Sequence, residues 1–428
     1  MKLKPAWCGS SARISSPDDT MASIRPKRIA FVTKDRAPGQ SAKQLLQLIL
    51  RLPRATVAPT ILCFGQDLYT DALSREHGLP VCIETGLRAD NVLSFWQSFV
   101  RHRPDVIVFV KNELDAFPPY AYAAAKLSGR RRIVAIERKI GEARGRLGRT
   151  RGNGHRRSQL DRVGGWLGQR VTPLTRPELY CDTIVCVGHS LREQLVRQFD
   201  YPVERLDVVS NGVDVKEFAG RNGTGGVRDR WNLKPDDDVV VSVGRLDEAS
   251  GVDVLLQALA SICPGRPRCK CLVVGSGSAE SEFRAQARNL GLSAHVTFTG
   301  YVTDVKSILH SSDIFVSPSR ADRIRRAALE AMASGLPCVV TDACGRDGIS
   351  HGDDGSVVKA GSVPELAGAI RYLLRDREER LRIGDNARRT VQAGYSIDDT
   401  VDERIRIMLG PPAVARGVRD GLWGVLAK

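Results

Sequence analysis

The chain has 428 residues, 42% hydrophobic and 26% charged, with a formal net charge of +15. That length and apolar content are enough for two domains with separate cores and exclude a disordered or fibrous chain. The positive excess draws the protein to anionic surfaces without choosing among phospholipid, nucleic acid and phosphorylated substrate, and the lack of any apolar run of about 18 residues excludes a membrane-spanning helix.

Residues 1–25 are polar and turn-rich, lack the apolar core of a signal peptide, and read as a disordered tail, so a cytoplasmic location is expected. Residues 28–33 (RIAFVT) form the first predicted strand, and the apolar spacing of SAKQLLQLILRL is helical. Further strands are predicted at 60–64, 81–84, 105–110 and 132–136, with helical stretches near 91–101 and 118–128. This alternation implies a parallel sheet.

From 138 to 170 there are ten Lys or Arg against two acids, interleaved with glycine. The segment is either a solvated loop or a docking surface for an anionic bilayer or lipid-linked acceptor, with Trp166 and Leu167 as interfacial anchors. Nucleic acid fits less well, because stacking aromatics are not spread through the run. A strand and helix follow from residue 181, and Asn211-Gly212 supplies residues suited to redirecting the chain. Residues 219–237 are polar and glycine-rich and mark a boundary.

The second half opens with VVVSVGRLDEASGVDVLLQALA, a buried strand, a turn that places Arg245 at its carboxyl end, and a helix after Gly251. Residues 271–274 enter Gly275-Ser276-Gly277, a turn able to take a phosphate but weak as a signal alone, and residues 295–299 lead to Gly300-Tyr301-Val302. Residues 310–342 then read as one βαβ unit: a strand at 313–316, a turn, a helix at 324–334 ended by Gly335 and Pro337, and a strand at 338–340. Asp322 and Glu330 stand about two helical turns apart, so both can border one crevice at the strand's carboxyl end. The plainer alternative is a solvated helix acid. The ten cysteines, Cys186, Cys269, Cys271 and Cys338 among them, lack metal-ligand spacing and read as buried reduced thiols.

The stretch SPSRADRIRRAALEAMASGLPCVVTDA resembles the donor-site signature of the family 4 retaining, nucleotide-sugar-dependent glycosyltransferases, and residues 181–218 resemble that family's last N-domain strand, helix and Asn-Gly-Val-Asp linker. The likeness covers roughly residues 28–395. It implies the GT-B fold, an α/β architecture of two Rossmann-like doubly wound domains facing across a cleft. The expected division is a tail at 1–25, an acceptor domain at 26–215, a donor domain at 216–395, and a tail at 396–428 crossing back. By the same resemblance Glu330 accepts bonds from the donor's ribose hydroxyls and Asp322 faces the transferred sugar. Arg245 clamps the diphosphate, and the amides of Ala328 and Leu329 lie near it. Gly244, Gly275 and Val302 border the nucleotide.

No metal and no cofactor are expected; the donor, a UDP-sugar by preference, is a co-substrate. The expected partners are that donor, a glycan or lipid-linked acceptor and a peripheral anionic membrane surface, with no nucleic acid. The chain departs from the family pattern at three places. Glu137 stands where a histidine is usual, either as a catalytic carboxylate that accepts a sugar hydroxyl or steadies a cationic oxocarbenium-like transition state, or as a rim acid pairing with Arg138. Ser250 stands where a lysine is usual, and Arg323-Ile324-Arg325 replace a glycine turn, with Arg323, Arg325 and Arg326 as substitute cations. Residues 341–349 (TDACGRDGI) are nearer to the lipopolysaccharide-core glucosyltransferases. The reading is a retaining, metal-independent hexosyltransferase of cell-envelope glycan synthesis; the rival is a non-catalytic nucleotide-sugar-binding scaffold of a polysaccharide assembly system.

Overall fold

The computed structural model describes residues 25–33, 40–63, 78, 81–83, 92–111, 117, 119–129, 132–137, 180–220, 225–320, 325–344 and 348–410. Of the sequence-based expectations, the tail up to residue 24, the basic run 138–170, Asp322, Arg323 and the C-terminal tail beyond residue 410 lie outside them.

The first sheet contains β1 (Lys27–Thr33), β2 (Val57–Cys63), β3 (Val81–Ile83), β4 (Val106–Lys111), β5 (Arg132–Glu137), β6 (Thr183–Cys186) and β7 (Leu206–Val208). They are all parallel, in the order β3-β2-β1-β4-β5-β6-β7. Strands such as β4, VIVFVK, are buried along their whole length, as a sheet covered on both faces requires. Helices α1 (Gln40–Leu50), α2 (Val92–His102), α3 (Pro119–Leu127) and α4 (His189–Phe199) supply the cover. On one face Phe95, Phe99, Phe109, Phe117 and Tyr122 form an aromatic core, with the Phe109 and Tyr122 rings 4.2 Å apart.

The second sheet contains β8 (Asp238–Val243), β9 (Cys269–Val274), β10 (Val296–Gly300), β11 (Ile314–Ser317), β12 (Cys338–Thr341) and β13 (Gly355–Val358), again all parallel, in the order β10-β9-β8-β11-β12-β13. Its helices include α5 (Val252–Ile262), α6 (Glu280–Asn289), α7 (Arg325–Ala333), α8 (Val363–Arg375) and α9 (Arg377–Gly394). The helical region after β13 divides at Asp376, whose side chain accepts from the Glu379 N–H at 3.0 Å and starts α9 as an N-cap. The polar stretch 219–237 is not wholly irregular: it includes a helix, Gly225–Arg230, and a buried Leu233.

The last helix, α10 (Ile397–Leu409), packs against the first sheet, where Ile397, Val401, Ile407 and Met408 join Ile29, Phe31, Val106 and Val108 in one core. The Asn211-Gly212-Val213-Asp214 stretch meets the start of this helix. Val213 N–H donates to Tyr395 O and Ile397 N–H to Val213 O, each at 2.9 Å, and Arg404 Nη2 donates to Ser210 O at 3.2 Å and Asn211 Oδ1 at 3.3 Å. A Cβ on Gly212 would lie 2.2 Å from Thr400 Oγ1, so only glycine lets this linker and the helix approach so closely.

Candidate donor site and its geometry

In each sheet the strand order reverses at one place, between β1 and β4 and between β8 and β11. Chains leaving two such neighbours depart in opposite directions and open a crevice at the carboxyl ends, where open α/β sheets bind ligands. In the second sheet β8 leads to Gly244 and Arg245, and β11 leads through Pro318 to α7 and Glu330.

Close main-chain packing builds the rim. Gly275 has φ +131°, and a Cβ there would stand 1.8 Å from Gly244 O; its N–H donates to Gly300 O at 2.9 Å, while Gly244 N–H donates to Val274 O at 2.9 Å. The turns after β8, β9 and β10 are thus tied together. Val302 follows, half-buried against the core under α7. On the other side Gly251 has φ +69°, and a Cβ there would lie 2.0 Å from Pro318 O. Its lack of a side chain lets the start of α5 touch the turn after β11. There Arg320 N–H and Ser319 Oγ both donate to Ala249 O, at 2.9 and 3.1 Å.

Arg245 is exposed at the end of β8. Ser250 is buried, its Oγ 3.5 Å from the Val252 N–H, so it brings no charge to the rim. Arg320 is met in bidentate fashion by Asp253, with Nη1 donating at 2.7 Å and Nη2 at 2.5 Å.

Glu330 is buried at the sixth residue of α7, and Arg326, one turn earlier, donates from Nε to its Oε1 at 2.7 Å. Ala328 and Leu329 are buried beside it. Leu329 is the fifth residue of α7 and so lies beyond the first turn; in an α-helix its N–H bonds back to the residue four before it, and the N–H groups turned outward precede it.

Glu137 ends β5 of the first sheet. It is buried, and its partner is Lys111, the register neighbour at the end of β4, whose Nζ also lies 5.6 Å from the Tyr122 ring centroid. No sequence signal joins these two residues, 26 positions apart. Arg326, by contrast, was within reach of sequence reasoning through its i, i+4 spacing to Glu330. Cys186, next in register on β6, has its thiol pushed up to about 12, first by burial and then by the Glu137 charge. Among the described residues seven cysteines are free and buried, and no group of three or more His, Cys, Asp or Glu is placed to hold a metal ion.

The family model "Glycosyl transferases group 1" matches residues 227–390 and "Glycosyltransferase Family 4" matches residues 41–217. A lipopolysaccharide core biosynthesis glycosyltransferase, LpsE of Rhizobium meliloti, is 26% identical over 214 residues, 49% of this chain and 62% of that protein. The Escherichia coli UDP-Gal:alpha-D-GlcNAc-diphosphoundecaprenol alpha-1,3-galactosyltransferase is 24% identical over 229 residues, 52% of this chain and 59% of that protein. Both matches therefore span less than two thirds of the relative's length. Among solved structures, Anabaena HepE in complex with UDP superposes with a TM-score of 0.71 at 20% identity, covering 89% of this chain and 99% of that one. At that identity the likeness is one of fold.

Proposed function

Because the chain belongs to the group 1, family 4 glycosyltransferases of GT-B fold, we propose that it is a retaining hexosyltransferase that moves a sugar from a nucleotide sugar, a UDP-sugar by preference, to a lipid-linked or polysaccharide acceptor in cell-envelope glycan synthesis. The observation that carries this reading is the placement of Arg245 just past β8 and of Glu330 on α7, the helix that follows β11, β8 and β11 being the two strands that flank the second sheet's reversal point. Glu330 accepts from the ribose hydroxyls, and an ionised acceptor makes such bonds about twice as strong as a neutral one. Arg245 faces the departing diphosphate, where fixed positive charge stabilises the transition state without a metal. Asp322 meets the transferred sugar. The second sheet, within residues 216–395, serves the donor, and residues 26–215 serve the acceptor.

Placement at a membrane surface draws support from two features. One is the ten-to-two basic excess of residues 138–170. The other is α2, which exposes Leu93, Trp96 and Val100 on one side and carries no acid in VLSFWQSFVRH. No helix among the described residues is long and apolar enough to cross a membrane.

The deciding experiment is turnover of radiolabelled UDP-, GDP- and ADP-sugars with and without a chelator, followed by the anomeric configuration of the product by NMR. The expected result is transfer from a UDP-sugar, unaffected by chelation, with the donor's configuration kept. Nucleotide binding with no turnover of any donor would favour the scaffold instead, a reading that gains from the ion pair already engaging Glu330.

A further inference from the structure

We propose that Arg326 is a donor-binding residue, whose guanidinium is held by Glu330 so that its outer nitrogen, Nη1, meets the phosphates of the nucleotide sugar. The inference deepens the function proposed above and rests on Glu330 being the ribose acceptor.

The two side chains form one unit. Nε of Arg326 donates to Glu330 Oε1 at 2.7 Å, and the side chains are 21% and 8% exposed. Nη1, in contrast, is withdrawn from solvent and has no hydrogen-bonding partner among the described residues. A guanidinium is a rigid planar fork with five N–H donors, so engagement through Nε turns Nη1 to a different side of the group, ready for a second acceptor. Leaving such a donor buried and unmet is unfavourable, and an apolar residue here would have avoided it.

The surroundings point to an anion as that acceptor. The helix begins Arg325-Arg326 and has no acid in its first turn. Positive side chains at this end oppose the helix dipole, which favours anions there. Glu330 offsets one of these charges. The neighbouring cation, Arg320, is already matched by both oxygens of Asp253, and Ser250 has no charge to offer. Among the described side chains Arg326 is therefore a cation beside Glu330 with a donor still to be met, and a phosphate oxygen next to a ribose bound on that carboxylate is the anion the geometry suits.

The test uses the full chain and compares UDP with uridine, which shares the ribose and base but has no phosphate. Dissociation constants are measured for the parent, Arg326→Leu, Arg326→Lys and Glu330→Gln, by calorimetry for UDP and by ligand-observed NMR for uridine, with thermal melts as the check on folding. We expect Arg326→Leu to weaken UDP about tenfold or more, the loss of roughly one charged hydrogen bond, and to leave uridine affinity nearly unchanged. The salt dependence of UDP binding should become less steep. Arg326→Lys keeps the charge but not the fork, and should recover part of the UDP affinity even if the leucine variant folds poorly.

If uridine weakens in step with UDP, Arg326 acts only by positioning Glu330, and the phosphate contact is overturned. If UDP affinity is unchanged in both arginine variants while Glu330→Gln abolishes it, Arg326 has no donor role and the reading of Glu330 stands. A parent that binds neither UDP, GDP nor ADP overturns that reading and this inference together.

Discussion

Lys111 and Glu137 form a closed ion pair at the carboxyl ends of β4 and β5, with side chains only 10% and 7% exposed. Two charges withdrawn from water hold each other's solvation debt, so removal of one leaves the other buried and uncompensated, at a cost of about 3–5 kcal/mol. Lys111→Met should therefore lower the melting temperature strongly, and Lys111→Met with Glu137→Leu should recover most of the loss. Glu137→Gln should lower the melting temperature as well, because it leaves Lys111 uncompensated; the double variant separates structure from chemistry: low turnover at a recovered melting temperature would assign the pair to the reaction, whereas recovered turnover would make it a scaffold.

Glu330→Ala is expected to abolish nucleotide binding in calorimetry. Because it also leaves the Arg326 guanidinium without its acid, the melting temperature should fall as well, by an amount equivalent to about 1–3 kcal/mol. Retained affinity for every nucleotide tested would remove the basis for placing the donor at this crevice.

Arg245→Ala should act in the opposite proportion. The side chain is exposed at a strand end, and exposed substitutions usually change stability by no more than about 0.5 kcal/mol. Turnover should drop by orders of magnitude, since removing one donor from a developing negative charge costs on the order of 10²-fold or more. An equal loss of stability and activity would mark a structural arginine.

Gly251→Ala tests the rim. The added methyl would stand 2.0 Å from Pro318 O at a backbone φ of +69°, so strain and overlap act together, and a destabilisation above about 1 kcal/mol is expected. Donor affinity should fall too, because the turns after β8 and β11 must move apart. A variant with parent-like melting and affinity would show that this contact does not set the crevice.

Membrane affinity should divide into two parts measurable by sedimentation with anionic vesicles. Neutralising Arg144, Arg146, Arg149 and Arg151 should weaken binding and flatten its salt dependence, since screening acts within a Debye length of about 8 Å at physiological salt. Leu93→Ser with Trp96→Ala should weaken binding without changing the salt slope. Soluble UDP affinity should stay constant in both; if neither variant loses vesicle binding, these surfaces are not the docking face.

Local pattern alone was sufficient for much of this protein. Strands such as 28–33 and 132–136 and the helix ended by Gly335 and Pro337 are legible because burial on both faces demands unbroken apolar runs and because helix ends have their own residue chemistry. The residues of the βαβ unit around Glu330 likewise carry their resemblance in one contiguous stretch. Pairings across the chain are not encoded in any window. Lys111 meets Glu137 because β4 and β5 align in register, Gly251 meets Pro318 across 67 positions, and Arg404 reaches the Ser210 carbonyl from a helix at the far end of the sequence. Burial pushes that arginine down to about 10, and among the described residues its hydrogen bonds go to Ser210 O and Asn211 Oδ1. Sequence alone determined many of the elements and their order, because hydrophobic period and capping are local properties. Which charges lose their water, and which acid or carbonyl then answers them, was decided only by tertiary packing, because desolvation depends on everything that closes over a side chain.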